Sequence, residues 1–451
     1  MKLVYGVKDK PKFGQLIVFA FQQLLAILAA TIAVPSIVGN GMSQSAALFG
    51  AGVGTIVYLL FTKFKSPVFL GSSFAFLGSM FAAFAGAVSV EAGYAGIILG
   101  AIFAGLVYVL IAIIVKIAGV GWINKLMPAV VIGPTVAIIG LSLAGNAIKD
   151  AVGCSAGFVE NIDGVYAMTA GGWVSLFCAL VTFFTVIICS VFGKKMGKLI
   201  PFIIGILAGY VVATIFTLIG MKTGNAALQI VNFSLFNNMQ WIPDFTFVKA
   251  AKGLSAIDGK YIATVAVAYV PVAFVVFAEH IADHKNLSSI IDKDLLEDPG
   301  LHRTLLGDGV GSMAGALFGG CPNTTYGESV GCVAITGNAS VITILVTAIM
   351  CMVISFFGPF VTFLATIPSC VMGGVCITLY GFIAVSGLKM IQVVDLGENR
   401  NLFVVAAILI AGIGGMALGI GKITLTSIAC ALILGIVVNL VLSKSDKKKA
   451  D

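Results

Sequence analysis

The chain has 451 residues, of which 59% are hydrophobic and 10% are charged, and its mean hydropathy is +1.11. An ordinary soluble domain carries roughly 25% charged residues, so this composition excludes a soluble globular protein and indicates a polytopic membrane protein. The net charge of +7 does not indicate a nucleic-acid-binding protein, because the lysines lie between apolar segments and at the chain ends, without interleaved aromatic residues.

Hydropathy predicts an all-α fold of fourteen transmembrane segments, and the loop charges predict their orientation. If the N-terminus is cytoplasmic, 20 of the 26 Lys and Arg residues fall on the cytoplasmic side, among them Lys2, Lys125 and Lys195. The positive-inside rule therefore predicts that both termini are cytoplasmic. The segments are predicted at about 13–36, 45–62, 67–87, 92–118, 126–146, 172–194, 199–220, 261–282, 303–320, 322–336, 340–359, 362–388, 401–419 and 423–443.

The first segment contains two polar residues, Gln22 and Gln23, in an otherwise apolar run. Such side chains either bond neighbouring helices to each other or line a water-filled site. Both interpretations stay open, and the sequence slightly favours a bond between helices.

The third and tenth segments share an interrupted pattern. Each begins with a proline, Pro67 or Pro322, and then carries Gly, Ser, Asn or Thr residues where a plain spanning helix would be apolar. Unpaired backbone polar groups are not tolerated in hydrocarbon, so the extended pieces 67–71 and 322–326 are predicted to pair with each other as short antiparallel strands.

The same two segments predict an internal repeat. Each lies third in its own run of seven segments, and an odd number of spans per repeat inverts the second copy in the membrane. Interrupted segments at matching places in two inverted halves indicate the substrate site of a secondary transporter. Each piece should continue into a half-helix whose first N–H groups, near Phe74 and Gly327, offer donors to a ligand.

The eighth segment carries an acid, Glu279, within the run "AYVPVAFVVFAEHIADH". A carboxylate at the centre of a spanning helix costs about 2.5–3.5 kcal/mol, which favours a functional role over a shallow position near the helix end. Asp283 lies one helical turn later on the same face, and such a pair suits the loading and unloading of a proton. His284 is equally interpreted as a proton carrier or as a solvated loop residue. The order of His280, His284 and Glu279 does not match a zinc helix, so no metal is predicted.

The ninth segment places Gly307, Gly311, Gly315 and Gly319 four residues apart. Such a strip lets a second helix approach closely, so it predicts helix packing. A nucleotide-binding loop is excluded because no strand precedes the G-x-G sequence.

The tenth segment carries a second acid, Glu328, in "TTYGESVG". It either belongs to the substrate site or caps the half-helix that begins there, and the cost of an acid at this depth favours the site.

Four stretches of the chain, "NTTYGESVGCVAITG", "AEH", "GSSFAF" and "DPGLHR", resemble the nucleobase-ascorbate transporter family. The family signature is an acid, Gln or Pro, then Asn, any residue and Gly, four further residues, Thr, and a basic residue or Gly. It corresponds here to the stretch from Glu328 to Gly337, and its first residue resembles the uracil branch, since xanthine-transporting relatives have Gln there. Three positions depart from the family: Ser329 replaces the usual Asn, Asp283 replaces a His implicated in proton coupling, and Gln23 replaces a frequent His.

The resemblance implies a fold of fourteen transmembrane segments in two inverted seven-span repeats, which form a homodimer through a gate domain. It implies core-domain halves at 1–120 and 261–360 and gate-domain halves at 121–260 and 361–451. The implied function is proton-coupled uptake of uracil across the bacterial cytoplasmic (inner) membrane, with no cofactor other than the proton. The implied substrate-binding residues are Glu279, Glu328, Phe74, Gly327, Tyr326 and Ser329, and the implied proton-coupling residues are Glu279, Asp283 and His284.

Uracil offers two ring N–H donors and two carbonyl acceptors, which two carboxylates and two sets of half-helix N–H groups complement. A purine (xanthine or urate) symporter on the same fold is the alternative. An anion transporter or channel is less favoured because of Glu328, and an enzyme is not predicted because no nucleophile or metal cluster is recognisable.

Overall fold

The computed structural model describes residues 3–119, 122, 128–194, 196–420 and 423–450. Lys2, Lys125 and Lys195 of the charge count, and the first two residues of the segment predicted at 126–146, lie outside these ranges. The described chain is mostly helical. Its main helices are α1 (Phe13–Val38), α2 (Gln44–Phe61), α3 (Leu77–Ala85), α4 (Val90–Ala118), α5 (Ala129–Ala151), α6 (Ala170–Phe192), α7 (Pro201–Thr223), α8 (Thr246–Gly253), α9 (Gly259–Ile291), α10 (Leu301–Gly319), α11 (Gly327–Thr336), α12 (Val341–Ile354), α13 (Gly358–Thr366), α14 (Ser369–Ile391), α15 (Asn399–Ile413) and α16 (Ser427–Ala450).

Short strands form three two-stranded antiparallel sheets in the described ranges. Two of them are local hairpins, and the third joins strands that are far apart in the sequence. The strands are β1 (Leu70–Ser72), β2 (Glu160–Ile162), β3 (Val165–Ala167), β4 (Asn323–Thr325), β5 (Leu418–Ile420) and β6 (Ile423–Leu425), paired β1–β4, β2–β3 and β5–β6.

Within the described residues, eight helices are long and apolar enough to cross a membrane, namely α1, α2, α4, α5, α6, α7, α9 and α14. The pair α12 and α13 makes a ninth candidate, although it bends by 84° between its two helices. These helices confirm a multi-pass membrane protein. The count of fourteen spans and the inverted repeat stay predictions, because the remaining apolar helices are shorter.

The segment predicted at 362–388 differs from the structure, since a break at Ile367 and Pro368 divides it between α13 and α14. Proline has no N–H to donate and restricts the residue before it to an extended conformation. Ile367 accordingly has φ −64° and ψ 118°, and Pro368 takes the N-cap position of α14.

The helices pack mainly in two groups. The first group contains α1–α4 and α8–α12, with α10 against α2 and α4. The second group contains α5–α7 and α14–α16, with α14 along α5. The domain boundaries stay predictions, but the grouping matters for the site, which lies where the two groups face each other.

The glycine strip of α10 packs closely against α2, as predicted. An added Cβ on Gly311 would lie 2.7 Å from the carbonyl oxygen of Gly54, and one on Gly319 would lie 2.7 Å from that of Ala46. An added Cβ on Gly315 would lie within 2.5 Å of two side-chain atoms of Asn323, so there is no room for a larger residue. The strip therefore positions β4 as well as α2.

The turn between α9 and α10 is held by charge. The Asp298 carboxylate lies 2.7 Å from Lys293 Nζ and 2.5 Å from Lys65 Nζ. Hydrogen bonds from Lys293 and then Lys65 lower the pKa of Asp298 to about 2. This exposed cluster joins the turn to the loop that follows α2.

Candidate functional site

The two interrupted segments pair with each other at the centre of the site. Leu70 pairs with Thr325, Gly71 with Thr324 and Ser72 with Asn323 in antiparallel register. Two further backbone bonds extend the pairing, from Tyr326 N–H to the Phe69 carbonyl at 3.1 Å and from Ser73 N–H to the Pro322 carbonyl at 2.9 Å. The predicted pairing of the pieces at 67–71 and 322–326 is confirmed, and it satisfies backbone groups that hydrocarbon would leave unpaired.

A helical turn follows each of the paired strands β1 and β4. Residues Phe74–Phe76 form a 3-10 turn that leads into α3, and α11 begins at Gly327. Neither N-cap residue, Ser73 or Tyr326, caps its helix through its side chain. The first N–H groups of a helix have no backbone partner within the helix, so these ends can donate hydrogen bonds to a ligand and carry partial positive charge.

A cavity of about 450 Å³ opens beside these helix ends, between the two helix groups. Five of the six predicted substrate-binding residues line it: Phe74, Glu279, Tyr326, Gly327 and Glu328. Its opposite wall comes from the second group and is mostly apolar, with Val136, Ile139, Phe202, Leu379, Phe382 and Ile383.

Asp283 also lines the cavity, where it joins α9 to strand β4. Its Oδ2 accepts a hydrogen bond of 2.8 Å from Thr325 Oγ1. Its Oδ1 lies 3.8 Å from the point that a Cβ on Gly327 would occupy. A third carboxyl group thus stands at the start of α11, next to Glu279 and Glu328.

The Tyr326 side chain is fixed by its contacts with strand β1. Its hydroxyl donates to the Ser72 carbonyl at 2.8 Å, and its ring covers Gly71 so closely that an added Cβ would lie 2.3 Å from the ring carbons. Glycine at position 71 is therefore required for the ring to lie flat against β1.

Ser329 differs from the expectation, because it is buried away from the cavity lining. Its Oγ accepts hydrogen bonds from Gln23 Nε2 at 2.5 Å and from Phe69 N–H at 3.1 Å. The residue ties α1, β1 and α11 together and is absent from the cavity lining, whereas its neighbour Glu328 lines the cavity. Gln23 and Ser329, two of the departures from the family pattern, thus contact each other. Gln23 bonds neighbouring elements, which is the interpretation that the sequence slightly favoured.

His284 likewise does not reach the cavity lining. It is fully buried, with Nδ1 2.8 Å from the His280 carbonyl and Nε2 2.7 Å from the Tyr58 hydroxyl. A carbonyl only accepts, so Nδ1 carries the hydrogen. The Tyr58 hydroxyl also donates to Ser66 Oγ at 2.7 Å. The interpretation of His284 as a solvated loop residue is wrong, because α9 continues through it to Ile291.

Sequence reasoning missed one acid, Asp308, on the glycine strip of α10. It is buried and its Oδ2 lies 2.7 Å from His280 Nδ1. The signal was present in the sequence, since Asp308 stands between Gly307 and Gly309 in an apolar segment, where an acid is as costly as at Glu279.

The cavity can bind a planar ligand that has both N–H donors and carbonyl acceptors. Its carboxyl groups accept hydrogen bonds, the helix ends donate them, and Phe74 and Tyr326 offer aromatic contact. Lys198 is the one cationic side chain among the described lining residues. No group of three or more His, Cys, Asp or Glu side chains in the described part of the chain is arranged to hold a metal ion.

A sequence model described as the Permease family matches residues 14–421. The chain is 38% identical to a uracil permease of Bacillus caldolyticus over 446 residues, which cover 98% of this chain and 95% of the relative. It is 36% identical to a uracil permease of Bacillus subtilis, covering 100% of this chain and 98% of the relative. It is 33% identical to a uracil permease of Escherichia coli strain K12, covering 97% and 93%.

Two solved structures share the fold at low sequence identity. The transmembrane domain of a cyanobacterial bicarbonate transporter matches with a TM-score of 0.58 at 15% identity, covering 96% of this chain and all of that one. A murine solute carrier 26 anion transporter in the inward-facing state matches with a TM-score of 0.64 at 11% identity, covering 97% of this chain and 69% of that one.

Proposed function

The chain belongs to the permease family of nucleobase-ascorbate transporters, and from this premise we propose that it takes up uracil across the bacterial cytoplasmic membrane together with a proton. As a member of that family it is a transporter and not an enzyme. The observation that carries the proposal is full-length similarity to uracil permeases combined with a cavity lined by Glu279, Glu328 and the residues that begin two helical turns.

Each polar group on the edge of the uracil ring is proposed to form a hydrogen bond with a complementary donor or acceptor of the protein. The Glu279 and Glu328 carboxyl groups accept from the two ring N–H groups, and N–H groups near Phe74 and Gly327 donate to the two carbonyl oxygens. Tyr326 and Phe74 contact the ring faces. Ser329 supports this arrangement from behind, by fixing α11 against β1.

Proton coupling is proposed to use the carboxyl groups of Glu279 and Asp283, which share one face of α9 and line the cavity. The bond from Thr325 to Asp283 supports this, because it links a proton-binding group to the strand that precedes α11. His284 is proposed to act through Tyr58 and His280, since it has no direct access to the cavity.

Alternating access is proposed to follow from movement of the first helix group against the second. The full proposal includes fourteen spans in two inverted repeats, a homodimer through the gate domain and cytoplasmic termini. The position of the cavity between the two groups supports alternating access, because a relative movement of the groups would open the site to one side and close it to the other.

Radiolabelled uracil uptake tests the site. Glu279→Gln and Glu328→Gln each remove a charged acceptor, and a hydrogen bond to a charged group contributes about 1.5–3 kcal/mol, so uracil affinity is expected to fall by about 10- to 100-fold. Glu160→Gln, on the exposed strand β2, is the matched control and should transport normally. Near-normal uptake and binding in both cavity variants would end the assignment.

A purine substrate is the second candidate, because a cavity of about 450 Å³ has room for a two-ring base. Excess xanthine should leave uracil uptake unchanged if the protein is specific for uracil, and should abolish it if purines are the true substrates. An anion substrate is disfavoured, since three carboxyl groups line the cavity and would repel it.

A further inference from the structure

Two chain connections between the helix groups lie against each other. The first, residues 225–258, joins α7 of the second group to α9 of the first group. The second, residues 355–368, joins α12 of the first group to α14 of the second group and contains α13. Any movement of one group against the other has to be absorbed within its connections, so their contacts bear on that movement.

The first connection starts on the second group. The N–H groups of Ile230 and Val231 donate to Thr217 Oγ1 of α7 at 3.1 and 3.0 Å. An added Cβ on Gly220 of α7 would lie 2.8 Å from the Asn225 carbonyl oxygen, so the chain returns closely along the helix that it has just left. The start of the connection therefore belongs to the second group.

The same connection ends on the first group. Lys249 of α8 forms an ion pair with Asp244 at 2.5 Å and donates at 2.9 Å to the carbonyl of Gly41, between α1 and α2. An added Cβ on Gly253 would lie within 2.4 Å of backbone atoms at the start of α4. The chain therefore changes from the second group to the first within residues 232–243.

The second connection makes the same change along α13. Just before this helix, Phe356 packs against Phe49 of α2, with ring centroids 5.8 Å apart, so it belongs to the first group. At the other end, Thr366 Oγ1 and the Tyr210 hydroxyl of α7 share a hydrogen bond of 2.8 Å, so Thr366 belongs to the second group. The chain bends by 84° between α12 and α13, at the beginning of this change.

The two places where the connections change group contact each other. The Trp241 ring lies on the start of α13, with its centroid 6.2 Å from that of Phe357. An added Cβ on Gly358 would lie 3.0 Å from two ring carbons of Trp241, so a larger residue there would displace the ring. Pro243 and Pro359 follow closely, and each has a fixed φ. The contact therefore joins two stiffened pieces of chain.

We propose that Trp241, Phe357 and Gly358 form a hinge on which the two helix groups move against each other during transport. This rests on the alternating access proposed above. A latch that opens in each cycle is the competing interpretation, but a latch joins a residue fixed to one group to a residue fixed to the other. Trp241 and Phe357 both lie in connecting chain, where each connection changes group, and such positions absorb the movement.

Cross-linking distinguishes a hinge from a latch. The double variant Trp241→Cys with Phe357→Cys is treated in cells with a short bifunctional maleimide, and the native protein, which has nine cysteines, is treated in parallel for background. Uracil uptake should stay at least as fast as in the untreated double variant, because the cross-link replaces a contact that transport does not break. Loss of uptake on cross-linking would indicate a latch and overturn the proposal, as would failure of the two cysteines to cross-link.

A second cysteine pair tests the movement itself. Ile335→Cys with Met390→Cys places thiols on α11 and α14, which line the cavity from different groups. A cross-link between them should stop uptake. Continued uptake would remove alternating access and the hinge with it. A stop with this pair, combined with a stop with the pair at 241 and 357, would leave alternating access in place and remove only the hinge.

Trp241→Ala removes the ring that joins the two connections. We expect the maximal rate of uracil uptake to fall by about 2- to 30-fold, while the dissociation constant for uracil of the purified protein stays within about threefold of the native value. Trp173→Ala on α6 is the matched control, because Trp173 is 61% exposed and Trp241 is 54% exposed. Equal rates for the two variants, or a loss of affinity in place of rate, would overturn the proposal.

Discussion

At the scale of single residues, the acids of the site differ in what surrounds them. Glu279, Asp283 and Glu328 line the cavity between the two helix groups, whereas Asp308 is buried beside His280. The sequence indicated Glu279 and Glu328 through their cost in an apolar segment and Asp283 through its helical spacing from Glu279, and the cost argument would also have found Asp308. The sequence could not distinguish the cavity-lining acids from the buried Asp308, because the cavity and the Asp308–His280 pair arise from the packing of different helices.

Ser329 provides a prediction at this scale. Ser329→Ala leaves the Phe69 N–H and one Gln23 N–H without their acceptor, and each unsatisfied buried donor costs about 1–3 kcal/mol. We expect a clear loss of thermal stability in the purified protein, with the dissociation constant for uracil within about threefold of the native value, because the cavity lining is unchanged.

Ser142→Ala serves as the control, since the Ser142 hydroxyl donates to the Ile139 carbonyl of its own helix. It should be nearly neutral for stability and for binding. A Ser329→Ala protein of native stability whose uracil affinity falls more than tenfold would instead identify Ser329 as a direct ligand, as the family resemblance implied.

At the scale of elements, the paired strands β1 and β4 decide where the helix ends lie. Hydropathy located both segments, and their prolines and polar residues indicated an extended start. Neither feature could specify the register, which follows from close contacts such as Tyr326 over Gly71 and Asn323 against Gly315. The sequence likewise shows a proline at position 368, but the segment predicted at 362–388 continued through the break that lies there.

The contact between Gly315 and Asn323 gives the prediction at this scale. Gly315→Ala places a methyl group within 2.5 Å of Asn323 atoms, so it should displace that side chain from its bond to the Gly50 carbonyl and shift β4. We expect a loss of at least about 1–3 kcal/mol of stability, as for other overpacked interiors, together with loss of uracil uptake.

Gly145→Ala is the matched control in helix α5, because an added Cβ there meets nothing within 4 Å. Alanine favours a helix by about 1 kcal/mol over glycine, so this variant should be as stable as the native protein or more stable. Thermal melting and uptake measured on both variants separate a packing defect from a general effect of substitution. Native uptake and stability in Gly315→Ala would contradict the close contact.

At the scale of the whole molecule, the two helix groups and the cavity between them define what a ligand can stabilise. A ligand that binds only the folded protein stabilises it by about 2.7 kcal/mol at a concentration 100 times its dissociation constant. We expect uracil to raise the melting temperature of the purified protein and xanthine to leave it unchanged.

The Glu328→Gln variant is the control for this measurement, because it conserves side-chain size and loses one proposed charged ligand group. Its melting temperature should rise much less with uracil. A shift with xanthine but not with uracil would move the substrate assignment to the purine branch, and no shift with any nucleobase would remove the proposed function.

The amino-acid sequence was enough to identify a multi-pass membrane protein of the permease family, to predict that the pieces at 67–71 and 322–326 pair, and to predict Glu279 and Glu328 as site residues. The family follows from the resemblance of its motifs. The other features follow from hydropathy and from the cost of acids and unpaired backbone in hydrocarbon, which are local properties of a segment.

The packing of the helices was needed to show that Ser329 and His284 lie outside the cavity lining, that Asp308 pairs with His280, and that Asp283 reaches the start of α11. Helical spacing places a side chain on one face of its own helix. Which neighbour that face meets, and whether a cavity opens there, depends on how helices distant in the sequence pack together.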